Sequence, residues 1–162
     1  AMSLLIDPYR FAAAASDTFI MPYRQDVMAW SSVDGSGGMT YTRYQTSANL
    51  GGGSAAQAST ADSDDGDYYE WFVNLEAGTY TVTVIYTKFT NGAICDVLID
   101  GTSIGTFDRY NLTANVNNVV TFAGVAVTAG NHTLRIAANG KAGSSSDYVI
   151  DVQAVTLHRT GA

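Results

Sequence analysis

Between Asp67 and Asp108 the chain reads DYYEWFVNLEAGTYTVTVIYTKFTNGAICDVLIDGTSIGTFD, an alternation that a helix cannot use. Tyr69, Trp71, Val73 and Leu75 share one period-2 face. After Glu76-Ala77-Gly78, a second face is built by Tyr80, Val82, Val84 and Tyr86, with Thr79, Thr81, Thr83 and Thr87 opposite. β-Branched and aromatic residues alternating with polar ones predict strands whose one face lies on a core. Asp100-Gly101 separates two such runs, and Gly accepts the positive φ of a two-residue hairpin turn. The segment therefore predicts four antiparallel strands.

The remaining residues extend this pattern. Strands are expected over residues 27–32 and 39–45, around a flexible Gly/Ser turn, with a short one near residues 56–60 inside a long acidic loop. Residues 119–127, a segment holding Leu134 and Ile136, and residues 148–157 complete the set, and residues 110–118 read as an Asn-rich loop. Leu75-Glu76-Ala77-Gly78 and Val127-Thr128-Ala129-Gly130 echo each other, which fits two similar hairpins in one structure. Eight or so strands at this spacing predict an all-β fold, an antiparallel β-sandwich of jelly-roll type. Residues 27–162 form the domain. Residues 1–26, with the breakers Asp7-Pro8 and Met21-Pro22 and the aromatics Tyr9, Phe11, Phe19 and Tyr23, read as an irregular attachment segment.

Charge narrows the partners. The 162 residues carry a formal charge of −7 with only eight scattered Lys and Arg, which argues against nucleic acid, where clustered bases of this kind must meet phosphate. No apolar run is long enough for a membrane-spanning helix, so membrane insertion is not expected. Met2 to Ile6 runs straight into Asp7-Pro8 without the basic region or cleavage site of a signal peptide. The natural chain is expected to start at Met2 and to reach the outside by another route, such as a virus particle. The lone Cys95 lies in a strand pattern and reads as a small buried hydrophobe.

Five segments carry a resemblance. They are Gly66-Asp67-Tyr68-Tyr69-Glu70-Trp71, Glu76-Ala77-Gly78-Thr79-Tyr80, Val97-Leu98-Ile99-Asp100-Gly101, Thr128-Ala129-Gly130-Asn131-His132-Thr133-Leu134 and Tyr148-Val149-Ile150-Asp151, in that order. The chain resembles the jelly-roll carbohydrate-binding modules of families 6 and 35 and their galactose-binding-like relatives over about residues 64–157. The resemblance implies a sugar site at the loop edge. Carried over, the aromatic after the Gly-Asp pair is Tyr68. The loop aromatic is Tyr110, since the usual Trp is missing there. The Asn beside Asp151 is replaced by Val149, which leaves Asn139 or Asp147 to supply that polar contact. The paired N-terminal Glu that holds a structural calcium in the family is absent. Separately, Leu4-Leu5-Ile6-Asp7-Pro8-Tyr9-Arg10-Phe11 is similar to the opening of small structural proteins of tailed phages and gene transfer particles.

Several side chains invite a chemical reading. Asp62, Asp64, Asp65 and Asp67 crowd into six residues and are the candidate calcium ligands, against the alternative of a solvated acidic loop. Tyr68 and Phe72 are large for a wet strand face; such rings stack on a pyranose while Glu70 accepts a hydroxyl, and a subunit interface accounts for them equally. Tyr44, Tyr110 and Tyr148 fall at strand ends or in loops, where a flat ring with a hydroxyl makes a low-entropy contact. Asn111 lies beside Tyr110. His132 and His158 have no partner at metal-ligand spacing, no nucleophile elbow surrounds any Ser, and Glu70 with Asp147 is the one conceivable carboxylate pair for glycoside cleavage.

The expectation is a non-catalytic protein that needs no cofactor beyond a possible calcium and binds carbohydrate through Tyr68, Glu70, Tyr110, Asn111, Asn139, Asp147 and Tyr44. Its place would be extracellular, as a spike, fibre or decoration protein of a phage or phage-like particle. Its partners would be host surface polysaccharide, other particle proteins and further copies of itself. A ligand-free assembly sandwich and a glycan-processing enzyme are the alternatives.

Overall fold

The structure, a computed structural model, describes residues 63–162 in full, preceded by the backbones of four short strands at residues 18–20, 32–34, 41–44 and 55–58. Eleven strands are described. They are β1 (Thr18–Ile20), β2 (Ser32–Asp34), β3 (Tyr41–Tyr44), β4 (Ala55–Ala58), β5 (Tyr68–Leu75), β6 (Gly78–Lys88), β7 (Ala93–Ile99), β8 (Thr102–Asp108), β9 (Asn115–Val127), β10 (Gly130–Lys141) and β11 (Asp151–Gly161). One sheet runs β3-β4-β11-β6-β9, with β1 also paired to β11, and the other runs β2-β5-β10-β7-β8. All strand pairs are antiparallel. The result is a β-sandwich jelly roll. No helix of the described residues is long and apolar enough to cross a membrane.

The predicted period-2 faces make the core. Tyr69, Trp71, Val73 and Leu75 on β5 and Tyr80, Val82, Val84 and Tyr86 on β6 are all buried, joined by Val97, Leu134, Ile136, Val155 and Leu157. Each such side chain contributes about 1.5–3 kcal/mol when fully removed from water. On the opposite face of β5 Phe72 is 67% exposed and Asn74 is exposed, whereas Glu70 is buried. Cys95 is wholly buried, and burial pushes its thiol up to about 12, so it is an inert core residue.

The two echoing Ala-Gly segments are not hairpins. Glu76-Ala77 carries the chain from β5 in one sheet to β6 in the other, and Thr128-Ala129 carries it from β9 back to β10. Alternation shows which residues point inward, but a turn that joins two inward-facing strands can equally close a ladder or cross the sandwich. Here both cross, and they lie side by side, since Gly130 opposes Leu75 in the β5–β10 ladder. Asp100-Gly101 does close a hairpin, with Asp100 at φ 49° and Gly101 at φ 76°. The Asn-rich stretch is half strand, because β9 starts at Asn115, and the last strand starts at Asp151 and runs to Gly161. Thr18–Ile20, within the N-terminal segment, pairs with β11 at Thr156, Leu157 and His158. The rest of that segment lies outside the described residues.

Candidate functional site

Four connections meet at one end of the sandwich: residues 63–67 before β5, 89–92 between β6 and β7, 109–114 between β8 and β9, and 142–150 between β10 and β11. Backbone bonds tie three of them into one platform. Phe89 N donates to Arg109 O at 2.9 Å and Asn111 N to Phe89 O at 3.1 Å. Ser146 N donates to Thr90 O at 3.1 Å, and Val149 N to Asn91 O at 3.0 Å. The Ser145 hydroxyl, buried beneath, donates to Gly92 O at 2.9 Å.

Under this platform lies a charged cluster. Arg109 is 1% exposed and is the largest fully buried side chain among the described residues. Its Nε donates to Thr87 O at 2.8 Å, its Nη1 donates to Val149 O, and its Nη2 stands 3.8 Å from Asp151 Oδ2. Thr87 also hydrogen-bonds the Asp151 carboxyl and accepts from Gln153 Nε2 at 3.1 Å. Desolvation dominates at Asp151 and pushes its carboxyl up to about 6, against the opposing pull of Arg109 and Thr87. A buried cation that donates to two backbone carbonyls and stands at ion-pair distance from a carboxylate ties together the segments from which they come.

Of the platform's apolar side chains Phe89 is 43% exposed and Leu112 76% exposed, while Tyr110 is half-buried and Tyr148 is half-buried against the core. Lys141 Nζ lies 4.6 Å from the centre of the Tyr148 ring. Asn111 Nδ2 donates to Thr113 O at 3.0 Å, and Asp147 Oδ1 accepts from Tyr148 N at 2.8 Å.

The sequence-predicted residues therefore divide. Tyr110, Asn111 and Asp147 come together at the platform. Tyr68 and Glu70 stand on the outer face of the second sheet, where Arg135 binds both: its guanidinium lies 3.7 Å from the centre of the Tyr68 ring and 2.7 Å from Glu70 Oε2. One face of Tyr68 is thus covered and Glu70 is ion-paired. Asn139 is exposed at a bulge in β10, next to the turn where Gly140 N donates to Asp65 Oδ1 at 2.6 Å. Tyr44 ends β3, and its side chain is outside the described residues, as is Asp62.

The acidic run behaves as a turn. Asp67 is buried, and its Oδ2 accepts from Asp64 N at 2.8 Å, while Asp65 caps Gly140. Among the described residues no three His, Cys, Asp or Glu side chains converge as a metal site would require. Phe89 and Arg109 were not singled out from the sequence. The signal available for Phe89 was an aromatic between the end of a threonine-rich strand and an Asn-Gly turn.

No family model and no curated protein matches the chain. Solved structures do. The chain is similar to a Paenibacillus xanthan lyase at 26% identity over 79% of its own length, with a TM-score of 0.66, but spans only 12% of that enzyme. It is similar over 88% of its length to a family 36 module of a multidomain xylanase from the hindgut metagenome of Trinervitermes trinervoides (TM-score 0.57, 16% identity, 95% of that chain). A family 6 module of Cellvibrio mixtus lichenase 5A, solved with cellotriose, matches 89% of the chain and 97% of the module (TM-score 0.56, 16% identity). The fold is that of the carbohydrate-binding modules. The module fold here carries its exposed aromatics on the platform and on the outer face of β5.

Proposed function

We propose that this protein is a non-catalytic carbohydrate-binding module that grips a polysaccharide at the 89–92, 109–114 and 142–150 platform. The observation that carries the reading is the platform of three tied segments over the buried Arg109, in which exposed Phe89 is bridged through the backbone to Tyr110, with Asn111 in the same segment and Asp147 and half-buried Tyr148 in the segment tied to the other side. Aromatic faces meet the C–H face of a pyranose, and the amide and carboxylate exchange hydrogen bonds with its hydroxyls. The fold shared with modules of sugar-active enzymes, one of them solved with cellotriose, supports it. Few contacts of this type imply millimolar to micromolar affinity per site.

The finer reading places the module on the surface of a phage or phage-like particle, with host polysaccharide as its target. That part rests on the likeness of residues 4–11 to particle proteins alone. Calcium enters as an arm of the test.

Affinity electrophoresis through gels containing bacterial capsular and exopolysaccharides decides between the sites. Retardation by at least one polysaccharide is expected, with about tenfold or greater weakening in Phe89→Ala or Tyr110→Ala. Tyr68→Ala is the comparison: if it alone abolishes retardation, the sheet face rather than the platform is the site. Loss of retardation in EDTA would show that binding needs a divalent cation. A folded protein retarded by none of the polysaccharides would leave the assembly role.

A further inference from the structure

β9 closes one sheet on its β6 side only; among the described residues no strand pairs with its outer edge. It is the longest of the described strands, 13 residues, and its sequence NVNNVVTFAGVAV holds no charged residue and no proline. Edge strands of monomeric proteins are commonly protected by Lys, by Pro, by bulges or by brevity, because a bare row of N–H and C=O groups recruits another strand. β9 has only bulges. One extra residue lies between Asn115 and Asn118 and another between Phe122 and Val125, marked by Asn117 at φ 60° and Gly124 at φ 74°. Between them residues 118–122 run in unbroken register against Tyr86 to Val82.

The surroundings match. On the outward face Val119 is 59% exposed, with exposed Thr121 and Ala123 following it. On β8, the edge of the other sheet on this flank, Thr102, Ser103 and Thr106 are also exposed and uncharged. In a chain of formal charge −7, copies repel one another over most of their surface. Of the residues of β8 and β9 only Asp108, at the end of β8, is charged, so little like-charge repulsion opposes a second copy along β9.

We infer that the β9 edge is a self-association surface, and that its occupant is β9 of a second copy of this chain, antiparallel about a twofold axis. Such an axis, perpendicular to the sheet, must keep outward face beside outward face, so it passes through a residue and not between two. Centred on Val120 it sets Val119 opposite Thr121 of the other copy twice; centred on Thr121 it sets Val119 opposite Ala123. These are β-branched and small cross-strand pairs of the kind that stabilise ladders. The inference is independent of the carbohydrate reading.

Sedimentation equilibrium of the full chain over about 1 µM to 1 mM tests it, with hydrogen exchange at both ends of the range. A monomer–dimer equilibrium is expected, with slower exchange of amides in residues 118–123 at high concentration. Val119→Lys is expected to give a monomer at every concentration, with unchanged circular dichroism. A wild-type monomer throughout the range overturns the inference. So does a dimer whose residues 118–123 exchange equally fast at both concentrations, or a folded Val119→Lys protein that dimerises as the wild type does.

Discussion

Replacing Arg109 with Met keeps most of its length but leaves the Asp151 carboxylate in a site closed to water and frees two backbone carbonyls, Thr87 O and Val149 O, of their donor. Breaking one side of a buried pair costs about 3–5 kcal/mol, which urea unfolding would read directly. The same cluster gives a pH dependence. The folded Asp151 carboxyl titrates near 6, above its unfolded value, because burial favours the neutral form. Its contribution is therefore fully present below about pH 4 and lost as pH rises through 6. At the other end of the sandwich His132 places Nδ1 2.6 Å from Asp100 Oδ2 and Nε2 3.0 Å from Thr128 O. Both partners only accept, so the ring that satisfies them carries two protons, and the Asp100 bond raises its pKa. That contribution too is lost as pH rises, above the ordinary histidine range, whereas the lowered Asp100 pKa makes its own contribution fade below about pH 4. Melting temperature is expected to be highest near pH 4–5 and to fall towards pH 8. Asp151→Asn should flatten the fall between pH 4 and 6 and leave the part due to His132.

At the scale of elements, the loops behave as one body because their approach leaves no room. A Cβ on Gly92 would stand 2.4 Å from Arg109 O, against backbone that cannot step aside, while one on Gly143 meets nothing within 4 Å. Gly92→Ala should cost about 1–3 kcal/mol and weaken polysaccharide retardation, with Gly143→Ala neutral in both denaturation and electrophoresis. The contrast marks what the sequence could carry. The inward faces of β5 and β6 follow from alternation, since a one-residue slip would turn Tyr69 and Trp71 out to water. The route of the chain between sheets does not follow, since Glu76-Ala77-Gly78 has the same local chemistry whether it closes a hairpin or crosses. Among candidate site residues, Tyr110, Asn111 and Asp147 were legible as polar or aromatic positions in loops. Arg109 was not, because an arginine after a strand normally reads as solvated, and its burial depends on Thr87, Val149 and Asp151 arriving from two other segments. The Tyr68–Glu70–Arg135 contact was hidden for the same reason: Arg135 is 65 residues from Glu70 in sequence and its neighbour across the β5–β10 ladder.

For the whole molecule, the two proposals combine. Two platforms held on one dimer would engage a repetitive polymer together, turning weak single sites into firm attachment by effective concentration. Val119→Lys should then bind an immobilised polysaccharide about 100-fold more weakly than the wild type. Its affinity for a short soluble oligosaccharide, which can fill only one site, should be unchanged. Surface plasmon resonance in the two formats separates these outcomes, and equal loss in both would place the effect of the substitution on the platform itself.

The direction of β11 has a practical side. The strand leaves the platform at Asp151 and ends at Gly161 beside the β5–β6 crossover, where Gly161 opposes Thr79. Eleven residues of strand span roughly 35 Å. A tether joined after residue 162 therefore pulls from the pole opposite the platform, and a protein fixed to a bead or sensor by that end faces those loops outward into solution.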